Sequence, residues 1–185
     1  MHYEKGQYYH AYNRGNNKQP IFIEPGNYEY LLKLMRKNAA RFRITVIAYC
    51  LMPNHYHILA RQDDTTPLTK FIRSTFQSYA QAFNKRYRRT GKLFENSRDP
   101  IVIDDLAYLS GLCRYIHRNP VEAHLVENAQ HWPYSNYREF IGDRPRFFHH
   151  PDLVKEWFAS PEEYRRFVEK QSDETNYIKI QKYLF

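Results

Sequence analysis

A chain of 185 residues, 42% of them apolar, has material for one folded core with a small addition, which excludes a disordered chain. Lys and Arg total 28 against 20 Asp and Glu, a net charge of +8, and the 17% aromatic content exceeds what packing needs. That pairing fits a nucleic acid with unpaired bases to stack on, although a generically basic protein carries the same charge.

Cys50 and Cys113 lie in apolar segments without metal-ligand spacing, and neither a secretory leader nor a membrane-length apolar run is recognised. The expectation is a cytoplasmic protein with reduced thiols and no membrane partner.

Residues 7–13, Gln-Tyr-Tyr-His-Ala-Tyr-Asn, read as a strand that ends in the turn cluster Asn13-Arg14-Gly15-Asn16-Asn17. Arg14 beside a glycine at a strand end is placed either to approach a phosphate or to sit as an ordinary loop arginine. Pro25-Gly26-Asn27 opens a helix over roughly 27–42, with Tyr28, Leu31, Leu32, Met35 and Ala39 at helical spacing on its core side. The β-branched and aromatic run 44–51 reads as a buried strand, and Pro53-Asn54 turns it into a second strand over 54–60.

On that second strand His55, His57 and Leu59 share one face, while Tyr56 and Ile58 take the other. Two imidazoles one strand repeat apart can hold one metal ion; two half-exposed histidines beside a turn have the same spacing.

Asp63-Asp64-Thr65-Thr66-Pro67 is expected to cap a second helix over 67–88, with Leu68, Phe71, Ile72, Thr75, Phe76, Tyr79 and Phe83 buried. The basic run Lys85 to Lys92 closes it, either as a solvated helix end or as a contact to a DNA backbone. A short strand over 100–103 follows. Asp104 is then expected to cap a third helix that runs to Asn119 and is stopped by Pro120. Tyr108, Tyr115 and Asn119 flank that helix's apolar stripe, with Tyr115 and Asn119 one turn apart. Packing plus a hydrogen bond would account for that pair as well as a shared chemical role. A last amphipathic helix is expected over roughly 161–171, followed by a polar tail.

The order of five short segments resembles the REP-associated tyrosine transposases, relatives of the IS200-like single-strand transposases in the HUH endonuclease superfamily. They are Arg14-Gly15-Asn16, Met52-Pro53-Asn54-His55-Tyr56-His57, Gly91-Lys92-Leu93-Phe94, Arg114 through Val121, and Trp132-Pro133-Tyr134-Ser135. The resemblance implies a ferredoxin-like antiparallel α+β sheet with packed helices. It also implies a nuclease or transposase domain over 1–141 and a helical C-terminal extension over 142–185. By the same resemblance His55, His57 and Asn119 match the metal ligands and Tyr115 matches the nucleophile; Tyr56 replaces the usual aliphatic residue between the histidines.

The implied activity is Mg²⁺- or Mn²⁺-dependent cleavage and rejoining of single-stranded or hairpin DNA through a 5′-phosphotyrosine. The partner is that DNA, the expected assembly a monomer or homodimer, and the location the nucleoid. The ligand types alone suit Zn²⁺ more obviously than Mg²⁺ or Mn²⁺, so the resemblance and not the ligand set implies that identity. From charge and position, Asn13, Arg14, Arg88, Arg89, Lys92 and Arg98 are expected to contact DNA. Two further classes fit a basic, aromatic-rich chain of this kind: a hairpin-DNA-binding protein without catalysis, and an RNA-binding protein of the same fold.

Overall fold

The computed structural model describes residues 3–96, 99–148 and 153–170. Strand β1 (Tyr8–Arg14) is followed by α1 (Pro25–Phe42), the hairpin of β2 (Ile44–Met52) and β3 (His55–Gln62), α2 (Leu68–Arg86) and the short β4 (Ile101–Ile103). Helices α3 (Leu109–Glu122), α4 (Tyr137–Phe140), α5 (Leu153–Trp157) and α6 (Pro161–Glu169) complete the described chain. The sheet order is β2-β3-β1-β4, and every neighbouring pair is antiparallel. Placing β3 between β1 and β2 leaves those two parallel, which is the split βαβ arrangement of a ferredoxin-like sheet.

The period of two divides the strands between two cores. One face carries Tyr9, Ala11, Tyr49, Leu51, Tyr56, Ile58 and Ala60, buried under Leu31 and Met35 of α1 and Phe71, Phe76, Tyr79 and Phe83 of α2. The other face carries Cys50, Met52, Leu59 and Ile103, buried with Leu109, Leu112, Cys113 and Ile116 of α3. Tyr164 and Val168 of α6 belong to that second core, so the C-terminal helix packs where α3 does. Cys50 and Cys113 are both free and buried, as expected. No helix among the described residues is long and apolar enough to cross a membrane.

Four helix boundaries differ from expectation, each for a local reason. Helix α3 does not stop before Pro120 but includes it and ends at Glu122. Proline withholds one N–H, the one that would bond to Ile116 O, and the helix spans that single gap for two more residues. The chain leaves the helix instead at His124, whose φ of 55° is left-handed, while Leu125 N–H donates to Pro120 O at 2.9 Å.

The residue that caps the start of the third helical segment is Asp105 rather than Asp104. It accepts from Ala107 N in a short 3-10 turn, Leu106–Tyr108, so Tyr108 lies ahead of α3 and not within it. At α2 the Asp-Thr cluster does not cap; the buried Gln62 side chain accepts from Leu68 N at 2.9 Å. The cap comes from the end of β3, a partner six residues back.

Helix α1 begins two residues early, at Pro25, with Glu24 and Asn27 forming a capping box.

The last motif segment seals an exposed strand. Leu51 N–H donates to Tyr134 O at 2.9 Å and Asn136 N–H donates to Tyr49 O at 3.3 Å, which occupies part of the free edge of β2. Trp132 Nε1 adds a hydrogen bond to Leu51 O at 3.1 Å.

Candidate active site

The segments noted in the sequence meet at one end of the sheet. Gly15 N–H donates to Asn54 O at 2.7 Å, Asn16 N–H to Leu93 O at 2.9 Å, and Glu95 N–H to Arg14 O at 2.9 Å. Gly15 is required there by contact: a Cβ at this position would lie 2.0 Å from the backbone oxygen of Gln19. The β2–β3 turn is thereby fixed against the end of β1, and β3 begins at His55 with its register set.

Because Tyr12 pairs with His57 and Arg14 with His55, these four side chains project on the face that α3 covers. Tyr56 points to the opposite core, where its ring stacks on Phe76 with centroids 3.9 Å apart. His57 is 1% exposed. Its ring stacks against Tyr12 at 4.9 Å and meets the edge of the Tyr115 ring at 5.4 Å and 87°. His55 and His57 stand 5.2 Å apart with their rings nearly perpendicular.

Asn119 reaches the same place from one turn further along α3. Its Oδ1 lies 3.1 Å from His55 Nε2, and its Nδ2 donates to Tyr115 O at 3.5 Å. On the far side of the ring, Asn54 Oδ1 lies 2.7 Å from His55 Nδ1.

This donor set favours a cation. His55 is flanked by a carboxamide oxygen at each ring nitrogen, and a neutral imidazole has only one N–H to give. Burial lowers the pKa of His55, partly countered by the bond to Asn119, so the charged ring is disfavoured. The pKa of His57 is held well below its ordinary value by burial and by the neighbouring His10 and His55 rings. Both imidazoles are therefore neutral near pH 7, the form that ligates metals.

With Nδ1 donating to Asn54, the lone pairs of His55 Nε2 and Asn119 Oδ1 face each other across 3.1 Å. Two adjacent ligands of an octahedral ion, each at about 2.1 Å, stand about 3.0 Å apart, so the residues present fit a divalent cation. Among the described residues no group of three His, Cys, Asp or Glu side chains forms such a site; the third donor here is an amide.

The expected DNA-contacting residues divide. Arg14 is already paired, with Nε 2.6 Å from Glu95 Oε1, and Asn13 Oδ1 accepts from Arg14 N. Arg88 and Lys92 are exposed, and Arg89 donates to Gln19 Oε1 at 2.7 Å, which ties the end of α2 to the turn after β1. That basic end is thus beside the β2–β3 turn rather than remote from it. Arg98 lies outside the described residues.

Sequence reading missed His10, Tyr12 and His117. His10 and Tyr12 alternate with Tyr8 and Arg14, a polar face whose period of two was readable. His117 is buried, with Nδ1 2.7 Å from Tyr164 Oη and Nε2 3.0 Å from Asn136 Oδ1. It anchors the helix of Tyr115 to both α6 and the β2 edge segment.

The fold and the site together define a ferredoxin-like α+β domain whose histidine pair faces a tyrosine-bearing helix. The family model described as "Transposase IS200 like" matches residues 4–119, and the chain belongs to that family. Among solved structures, it is similar to a REP-associated tyrosine transposase bound to a REP hairpin. That match has a TM-score of 0.65 at 17% identity and covers 82% of this chain and 90% of the other. A candidate transposase from Deinococcus radiodurans R1 aligns at 14% identity with a TM-score of 0.44, over 64% of this chain and 94% of its own. No curated protein matches the sequence.

Proposed function

We propose that the chain is a metal-dependent single-stranded DNA endonuclease and strand transferase acting on hairpin-forming DNA, with Tyr115 as nucleophile. The observation that carries this reading is the convergence of His55, His57, Asn119 and the Tyr115 ring at one end of the sheet. Membership of the IS200-like family and the likeness to a transposase bound to a REP hairpin support the choice of substrate.

His55 Nε2, His57 and Asn119 Oδ1 are the residues that would hold Mg²⁺ or Mn²⁺. Such an ion supplies charge for a non-bridging oxygen of the scissile phosphate and for the departing oxygen. The remaining chemistry belongs to the chain. Tyr115 Oη loses its proton and bonds to phosphorus, and the phosphorus–O3′ bond breaks. The O3′ electron pair takes up a proton, leaving a free 3′-hydroxyl and a 5′-phosphotyrosine. Attack by a 3′-hydroxyl on that linkage reverses the exchange, so strand joining needs no nucleotide cofactor. α3 brings its tyrosine and amide to bear together because they lie one turn apart. The buried His117 keeps that helix from sliding along the sheet.

The test is a denaturing gel of end-labelled single-stranded hairpin DNA with Mn²⁺. Wild-type protein gives a covalent adduct, and Tyr115→Phe gives none while still folding and still binding the DNA. An adduct that persists in Tyr115→Phe, or disappears only in Tyr79→Phe, overturns the assignment. Binding of the hairpin without any adduct in wild type would instead make the chain a binding protein.

A further inference from the structure

Strand β1 brings a third imidazole to the site. His10 is 1% exposed and lies diagonally across the strand pair from His57, since its direct neighbour is Leu59. The two rings stack 5.2 Å apart at 7°, and His10 Nε2 is 3.0 Å from His57 Nδ1. One proton must lie between these nitrogens, and it belongs to one ring or the other. If His10 donates it, neutral His57 keeps its own proton on Nε2 and has no lone pair there. If His57 donates it, Nε2 is bare.

We propose that His10 is a positioning residue for the divalent ion: it accepts the Nδ1 proton of His57 and so fixes the tautomer that offers Nε2 to metal. This rests on the metal reading given above. His55 supplies the parallel, because its Nδ1 is engaged from outside the site by an oxygen that can only accept, Asn54 Oδ1. Both histidines are thus gripped through Nδ1 by neighbours on the sheet and turn, leaving Nε2 of each for the ion. The second grip is an imidazole nitrogen, which sets the tautomer as a carboxylate would.

Two measurements on the full chain decide this. Two-bond ¹H–¹⁵N spectra of the metal-free protein are expected to report His57 as the Nδ1–H tautomer; an Nε2–H signal overturns the proposal without any variant being needed. Titration with Mn²⁺, followed by the electron paramagnetic resonance of the free ion, is expected to show about 10-fold or greater weakening in His10→Leu. His10→Gln, whose side-chain oxygen can accept the same proton, is expected to restore affinity to within about 3-fold, which a purely space-filling role for His10 would not produce. Unchanged Mn²⁺ affinity in His10→Leu removes the role of His10 and leaves the metal site standing. A wild-type protein that takes up no Mn²⁺ removes the metal reading itself, and this proposal with it.

Discussion

The two faces of β1 and β3 are built from the same strands yet do opposite work. On one face Tyr56 stacks on Phe76, and Tyr79 directs its hydroxyl to Ile21 O, so the tyrosines there are sealed into an aromatic core. Burial pushes the Tyr79 hydroxyl far above its ordinary range, which disfavours its phenolate form. On the other face His10, Tyr12, His55 and His57 form a polar cluster under α3, and Tyr115 is only partly buried beside it. A period of two lets one pair of strands supply an aromatic core on one face and a polar cluster on the other.

Substitutions on each face should therefore separate chemistry from stability. The largest effect is expected from the double change His55→Ala and His57→Ala, with cleavage of hairpin DNA reduced by at least about 100-fold. Binding of the same hairpin in a gel-shift assay should remain within a few-fold of wild type, because phosphate contacts rather than the imidazoles supply most of the affinity. Full cleavage by that variant would take the histidines out of the reaction. On the opposite face, Phe71→Ala should cost about 3–5 kcal/mol of stability by chemical denaturation. Adduct formation per folded molecule should there change less than about 3-fold. An activity loss that outruns the unfolded fraction would show that the two faces are not independent.

Much of this division was legible in the sequence because it is local. Alternation over 55–59 puts the histidines on one face, and helical spacing puts Tyr115 and Asn119 on one side of α3; both follow from dihedral geometry within a few residues. What was hidden depends on pairing distant segments. That His10 lies diagonal to His57 follows from the β1–β3 register, across 47 residues. That Arg14 pairs with Glu95 was hidden because the two lie 81 residues apart. Gln62 displaced the expected capping cluster because a buried side chain at a strand end reached the first amide of α2. Pro120 misled for another reason: a proline withholds a single bond, and α3 runs on past that gap by two residues to Glu122.

The turn that joins the two faces offers a smaller perturbation. Gly15→Ala places a Cβ against a backbone oxygen rather than a movable side chain, so relief requires the 16–19 turn to shift. A cost of about 1–3 kcal/mol is expected, read as a lower thermal midpoint. Since the same turn holds Asn54, cleavage should fall further than stability alone explains. A variant with normal midpoint and normal cleavage would mean that the turn does not set the position of His55.

The smallest effect concerns the basic end of α2, which belongs to neither face. Arg86 is paired with Glu24, 2.5 Å away, so its charge is partly offset. Among the described residues no ion pair holds Arg88 or Arg89, and Arg88 sits with φ at 49° in a left-handed turn that projects it into solvent. Arg89 reaches Gln19, which borders the Gly15 turn, so both charges lie near the end of the sheet where His55 begins. A DNA strand entering the site would pass this cluster, and each phosphate it neutralises releases condensed counterions. Replacing both residues by glutamine removes both charges and leaves a side-chain amide that still donates hydrogen bonds. The slope of log affinity against log salt should then fall by about one to two, with a similar loss for unrelated single strands. Adduct formed at saturating DNA should be unchanged, because neither residue touches the histidines or Tyr115. An unaltered slope would assign Arg88 and Arg89 to solvent and leave Arg14, Asn13 and Lys92 as the residues to test next.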